Sequence, residues 1–413
     1  MLLDSAADGP LARTSILAAQ PQDALADDGK GHFLDTLEEQ WLKERIPHED
    51  AGLPFVGGWA LFLGYELGGE VEPRLHLPAS GLPWRAFALR TPCTVIHDRA
   101  FDRVFAVAES QAAHLLADIE RDARRFADAP VQLEETIRIG NIDEEPPRIF
   151  LERVRRVQEY IAAGDIYQAN ISRPWRVELA GDTSVAAIYD RLCAANPAPF
   201  AALAQWQGIA ILSSSPERLV SVSDRLIQTR PIAGTRPRSR APGRDVPETA
   251  ELAAHPKERA EHVMLIDLER NDLGRVCEAG TVRVDEFMSI ESYAHVHHIV
   301  SNVSGRLRAD ATPVDAIRAV FPGGTITGCP KFRCMQIIAE LEGEGRGAYT
   351  GSLGFLGRDG SMDLNILIRT MTLHGRSINF RAGGGIVADS IPERELEETR
   401  AKARGLLAVF DKP

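Results

Sequence analysis

Cysteine is scarce in this chain, with five in 413 residues: Cys93, Cys193, Cys277, Cys329 and Cys334. The number is odd, and only Cys329 and Cys334 lie close together, at a spacing that fits no zinc or redox motif. A disulfide scaffold is thereby excluded, and reduced thiols are expected. Long apolar runs are absent as well: no window approaches the ~20 apolar residues of a membrane span, and residues 1–15 lack a basic region followed by an apolar run. A soluble, cytoplasmic protein is expected. Positive charge is in short supply, since the net charge is −12, the pI is about 5.5 and there is no basic tail. Nucleic acid and anionic membranes are therefore poor partners, and any anionic ligand must be met by local positive features. There is no internal repeat and no βαβ periodicity, which argues against a solenoid and against a Rossmann fold.

What the chain does have is apolar content, 44% hydrophobic residues, ample for a large core built as one domain or as two intertwined subdomains. Residues 1–145 read as mixed α/β, with strands over 15–19, 55–65, 86–95 and 103–107 and helices near 33–45 and 110–127. No paired catalytic groups stand out there. The segment Glu134–Pro147, rich in Glu, Asp and Pro, is the expected linker because it can bury little. From Arg148 the pattern becomes regular: Ile149, Leu151, Val154, Val157, Tyr160 and Ile161 mark a helix that stops at Gly164. Gln168 then stands at a helix-to-strand junction, either as a turn residue or as a neutral hydrogen-bonding group in a pocket. Short strands over 173–179, 209–212, 219–222 and 226–229, joined by tight connections, predict antiparallel pairing. Further strands are expected over 281–290, 298–307, 351–356, 364–373 and 377–381.

Two features carry chemistry. Gly383-Gly384-Gly385 gives up side chains so that backbone amides can approach an anion, which suggests a small acid as ligand. Behind it Pro392 opens a helix in which Glu395, Glu398 and Lys402 share one face. A second acidic pair, Glu258 and Glu261, sits at the same spacing of three in an upstream helix over 257–273. Either pair alone is what a solvated helix face carries. Facing one another, the four carboxylates would hold a hard divalent cation, Mg²⁺, through oxygen ligands and retained waters. The loop Phe321–Lys331, with Pro330 in the first turn of the helix it feeds, predicts free amides directed at an anion.

Several longer motifs resemble those of the chorismate-utilising enzymes, the family of component I of anthranilate synthase and of aminodeoxychorismate synthase. They are SSSPERL at 213–219, PIAGTRPR at 231–238, KERAEHVMLIDLERNDLGRV at 257–276, ESYAHVHHIVS at 291–301, GGTITGCPK at 323–331 and GGGIVADS at 383–390. The resemblance covers residues from about 148 to 410. Leu2-Leu3-Asp4-Ser5-Ala6 is similar to a family segment that normally lies some tens of residues in, so a shortened N-terminal part is expected.

The resemblance implies an α+β fold of two intertwined subdomains, with antiparallel sheets face to face and helices outside. An N-terminal subdomain would span residues 1–145 and a chorismate-binding catalytic domain residues 146–413. It implies Mg²⁺ bridging the ring carboxylate of chorismate to Glu261 and Glu398, with Glu258 and Glu395 holding metal waters and Lys402 offsetting charge. The enolpyruvyl carboxylate would fall to Arg369, Tyr349 and the amides of Gly383, Gly384 and Gly385. Glu217 matches the family's general acid, His298 and Thr325 match pocket residues near the ring, and Ala233 and Thr235 belong to the PIAGT loop. Gln168 occupies the place of a lysine that activates water in isochorismate-forming members, so ammonia is the implied nucleophile. Asn170, the GGTITG loop and Gly351-Ser352 resemble the enzymes that make 4-amino-4-deoxychorismate, with anthranilate formation as the alternative. Ala233 departs from the lysine that forms a covalent adduct in the best-known of these. No amidotransferase Cys–His motif is present in the chain, so a glutamine amidotransferase subunit is the implied source of ammonia.

Overall fold

The computed structural model describes residues 1–7, 13–27, 29, 31–48, 52–127, 137–237, 256–292 and 296–411, with the side chains of 235–237, 256–257 and 296 left aside. Two large antiparallel sheets lie face to face, one of eleven strands and one of ten among the described residues. The first runs from Gly328–Cys329 through Gln168–Leu179, Ser377–Ile386, Thr370–His374, Ile209–Ser215 and Phe200–Trp206 to Leu2–Asp4, Thr14–Ala19, Cys93–Asp98 and Arg103–Ala108. The second runs from Ile232–Pro237 through Val296–Arg306, Leu226–Thr229, Arg218–Ser223, Met362–Asn365 and Ser352–Gly357 to Gly58–Leu63, Ala86–Thr91 and Asp23–Ala26. Each sheet thus takes strands from both sides of residue 145.

Alternation along the strands builds the layers. In Gly58–Leu63, Ala60 and Phe62 point inward and pack with Phe87, Ala202, Ala204, Ile209 and Ile211, which joins the inner faces of the two sheets. Leu61 and Leu63 point the other way, into a core shared with the helices Phe33–Glu44 and Pro313–Val320. On the far side, Ala210 and Leu212 meet the helices Val185–Ala195 and Pro392–Leu407. Because both faces of these strands are covered, they read as continuous apolar runs although every pairing is antiparallel. Among the described residues no helix is long and apolar enough to cross a membrane.

The sequence expectations need correcting in four places. The stretch 86–95 is two strands, Ala86–Thr91 and Cys93–Asp98, and they belong to different sheets. The stretch 364–373 divides in the same way, into Met362–Asn365 and Thr370–His374. The expected linker is in part a strand, Ile139–Glu144, paired with Gln168–Leu179. The strand expected over 377–381 does not stop before the glycine run: it continues through it to Ile386, with Gly383 opposite Ser172 and Gly385 opposite Asn170. A Cβ at Gly383 would collide with the Ile171 carbonyl, so the missing side chain serves close strand approach.

Candidate active site

Glu217 and Arg369 both sit where the chain crosses from one sheet to the other. Ile209–Ser215 belongs to the first sheet and Arg218–Ser223 to the second, so Pro216 and Glu217 form the crossing. Residues 366–369 form the return crossing between Met362–Asn365 and Thr370–His374. The two crossings are bonded to each other: the Ile366 amide donates to the Glu217 carbonyl at 3.0 Å and the Ser214 amide to the Arg369 carbonyl at 3.1 Å. Arg369 is held with a left-handed backbone, φ 50°, a conformation that persists only where surrounding bonds fix it.

A cavity of about 650 Å³ opens over these crossings. It is lined by Glu217, Arg369, Gln168, Ala233, His298, Thr325, Tyr349, Gly383, Gly385, Lys402 and the four glutamates 258, 261, 395 and 398. Of the site residues read from the sequence, Gly384 does not line it, and the Thr235 side chain lies outside the described residues.

Burial sets the protonation of the acid–base groups. The Glu217 carboxyl is pushed up to about 7 by desolvation, against the pull of the Thr325 hydroxyl, the Ile232 amide, Arg369 and Lys402. The Thr325 hydroxyl donates to Glu217 Oε1 at 2.8 Å. A carboxyl that still carries its proton near neutrality is suited to general-acid work. His298 is driven down to about 3, chiefly by burial and further by Arg369, so its imidazole is neutral. The Tyr349 phenol is raised to about 12 by burial and stays protonated as a donor. Ala233 precedes a bulge at Gly234, where φ is 70°, and the strand register against Val296–Arg306 shifts there. Such a bulge re-aims the side chains beyond it in the strand.

Two helices bring in the acidic groups. Pro256–Gly274 supplies Glu258 and Glu261, and Pro392–Leu407, with Pro392 in its first turn, supplies Glu395, Glu398 and Lys402. Lys402 donates to the Gly383 carbonyl and pairs with Glu398, both at 2.8 Å. A Cβ at Gly384 would lie 3.6 Å from Glu395 Oε2, 3.7 Å from Glu398 Oε1 and 3.8 Å from Lys402 Nζ, and one at Gly385 would lie 3.4 Å from Glu261 Oε1. The carboxylates of both helices therefore reach over the bare glycine strand. Among the described residues no three such groups already form a closed metal cluster. An all-oxygen donor set over a cradle that side chains would fill still fits a hard cation that keeps several waters.

Gln168 belongs to the pocket and not to a turn: its side-chain amide donates to Glu261 Oε1 at 3.1 Å. The Phe321–Lys331 segment feeds the second helix start singled out from the sequence. Its helix, Lys331–Glu342, starts on a second cavity lined by Lys331, Asp272 and Phe332, where Lys331 pairs with Asp272 at 2.5 Å. To the first cavity the segment contributes Thr325 and Ile326. Sequence reading missed Arg381, which lines the cavity and donates to Ser172 Oγ at 2.9 Å, and Asn196, which lines it too and donates to Ser214 Oγ at 2.6 Å. Arg381 stands in the same NFRAGGG stretch, two residues before the glycines, and that proximity was the available signal.

The fold is that of a chorismate-binding enzyme: a family model described as "chorismate binding enzyme" matches residues 3–408, and the chain belongs to that family. The relatives narrow the class. Anthranilate synthase component 1 of Aquifex aeolicus is 38% identical over 403 residues, 93% of this chain and 81% of that protein. Aminodeoxychorismate synthase component 1 of Bacillus subtilis is 48% identical over 256 residues, 62% of this chain and 54% of that protein. The crystal structure of anthranilate synthase component I from Streptococcus pneumoniae superposes with a TM-score of 0.86 at 30% identity, over 97% of this chain and 93% of that one.

Proposed function

We propose that the chain is component I of an aminodeoxychorismate synthase, which aminates chorismate to 4-amino-4-deoxychorismate for 4-aminobenzoate and folate synthesis. Ammonia comes from a glutamine amidotransferase subunit. The observation that carries amination over hydration is Gln168. Its amide is spent on Glu261 and has no basicity with which to activate water, whereas ammonia is nucleophilic as it stands.

Chorismate carries two carboxylates. Arg369 and Tyr349 line the cavity and would form the end that binds the enolpyruvyl carboxylate, the planar guanidinium being suited to bidentate capture. Lys402 would form the other end with Glu261 and Glu398, which would hold Mg²⁺ for the ring carboxylate, while Glu258 and Glu395 would hold its waters. When bound, the ion supplies Lewis-acid polarisation and cancels part of the negative charge of that end. Glu217 gives its proton to the C4 hydroxyl as the C–O bond breaks, and the oxygen leaves as water. A C–N bond forms with ammonia, and the proton that the new ammonium sheds restores Glu217. Ala233 offers no nucleophile, so no covalent adduct with the protein forms along this route.

Amination at C4 is favoured over C2 by Asn170, which lines the cavity, by the GGTITG loop whose Thr325 holds Glu217, and by the 48% identity to the Bacillus subtilis protein. The second reading, anthranilate synthase component I, rests on the relatives matched over more of their length. The test uses chorismate, Mg²⁺ and excess ammonium. The expected product yields 4-aminobenzoate only after an aminodeoxychorismate lyase is added, and intact-protein mass spectrometry during turnover shows no chorismate-derived mass. Anthranilate and pyruvate formed without a lyase would establish the second reading instead.

A further inference from the structure

Behind the cavity, in its wall and out of its lining, lies Arg346. The guanidinium is fully buried, with its side chain 1% exposed, and it engages several pieces of chain at once, the Tyr65 ring at 4.9 Å and the Thr350 hydroxyl at 3.4 Å among them. Nε and Nη2 grip the Glu342 carboxylate at 3.0 and 2.7 Å as a two-pronged pair. Nη2 also donates to the Asn170 carbonyl at 2.7 Å, and Nη1 to the Ile326 carbonyl at 3.1 Å. The plane lies over the Tyr349 ring, 5.5 Å from its centroid. Glu342 Oε1 in turn accepts from the Ser172 amide and hydroxyl, each at 2.9 Å, and Ser172 stands opposite Gly383.

Each of these contacts falls on a part of the cavity wall. Asn170, Ile326 and Tyr349 line it, Ile326 follows the threonine that holds Glu217, and Ser172 fixes the strand beside the glycine run. We infer that Arg346, locked to Glu342, is a positioning residue that sets the general acid on Glu217 at its working distance from the carboxylate-binding end formed by Tyr349, Arg369 and the glycine strand. A buried pair is otherwise a poor source of stability, because hydrophobic replacements of similar volume are often as stable. What the fork adds is geometry: two backbone carbonyls, of Asn170 and Ile326, and the Glu342 carboxylate are bonded to one rigid, planar group, and their separations are set by it.

The inference rests on the reading of the cavity as a chorismate site, and its test is chosen to separate the two. Chorismate consumption is measured whatever the product, so amination at C2 instead of C4 leaves the outcome unchanged. Titration of the ¹³C-labelled Glu217 carboxyl without chorismate needs no reaction at all. Arg346→Lys keeps the charge opposite Glu342 but cannot reach both Asn170 and Ile326. The double variant Glu342→Gln with Arg346→Gln removes both charges together and leaves Arg381, which loses Glu342, its ion pair with Glu344, should the lysine variant fold poorly. In the folded variant kcat is expected to fall by roughly 10²-fold, the scale of a misplacement near 1 Å. KM for chorismate should stay within about threefold and the Glu217 titration should move as Thr325 is released. A merely structural role would lower Tm and leave both readouts in place. A folded variant with kcat within about threefold of wild type, or with an unmoved Glu217 titration, overturns the inference.

Discussion

Glu261→Ala and Glu398→Ala should each lower Mg²⁺-dependent turnover of chorismate by about 10³-fold or more while leaving the fold intact. The magnitude comes from the several kcal/mol that a bound cation contributes at a developing charge, at about 1.4 kcal/mol per decade of rate. The fold should survive because both side chains project from helices into the cavity and neither belongs to the apolar clusters, which use Leu396, Ala403 and Leu406 of the same helix. The sign of a second effect discriminates further. Four glutamates against Lys402 make this end of the cavity repel a dianion until a cation is bound, so Mg²⁺ and chorismate should each strengthen the binding of the other. Removing one carboxylate weakens that repulsion. Without Mg²⁺, Glu395→Gln should therefore bind chorismate more tightly than wild type, and with saturating Mg²⁺ less tightly. Calorimetric titration of chorismate with and without Mg²⁺ measures both arms. Undiminished turnover in Glu261→Ala or Glu398→Ala, or an equal affinity change in both arms, would remove the metal role from these residues.

The acidic pairs were legible in the sequence because helical spacing places residues three apart on one face, and both helices formed where periodicity and Pro392 put them. The order of strands was harder to read. The 226–229 strand matched its expected bounds, yet 86–95 and 364–373 each hid a crossing between sheets. Both stretches remain β-like throughout, and period-two alternation says nothing about which sheet a strand joins. Pro92, which cannot donate to a ladder, was the one local hint. The second crossing matters most, since it places Arg369 next to Glu217. Glu217 itself, one acidic residue in a short turn, was recognisable only through the resemblance of SSSPERL. Arg346 could not be found from sequence at all. Its role lies in bonds to Asn170 and Ile326, 176 and 20 residues away along the chain, and these exist only once both sheets have closed. The glycine run was read as an approach of backbone amides to an anion and not as a strand, because nothing local shows that Gln168–Leu179 pairs along it.

Glu217→Gln should reduce turnover by roughly 10²-fold or more with little change in chorismate affinity, the loss expected of a general acid, and it should make the protein more stable at alkaline pH. The two effects share a cause. Burial raises the carboxyl from 4.5 to about 7, so the folded state holds a proton that the unfolded chain releases. The contribution to stability is then greatest below about pH 4.5, shrinks as pH rises through 7, and above that leaves a buried charge. The full difference corresponds to about 3 kcal/mol as an upper figure. The neutral amide avoids that cost, so the Tm of Glu217→Gln should exceed that of wild type above pH 8 and converge with it near pH 5. Catalysis tracks the same proton in the opposite sense. Expressed per free ammonia, to remove the ionisation of ammonium, kcat/KM of the wild type should decline as pH rises through about 7, because only the protonated acid can release the hydroxyl as water. The decline in kcat should lie at higher pH, since a bound dianion beside Glu217 holds its proton more firmly. Glu217→Gln should show no such limb. Wild-type turnover in that variant, or a pure KM defect with the alkaline limb retained, would make Glu217 a binding group and assign the proton to another residue of the cavity.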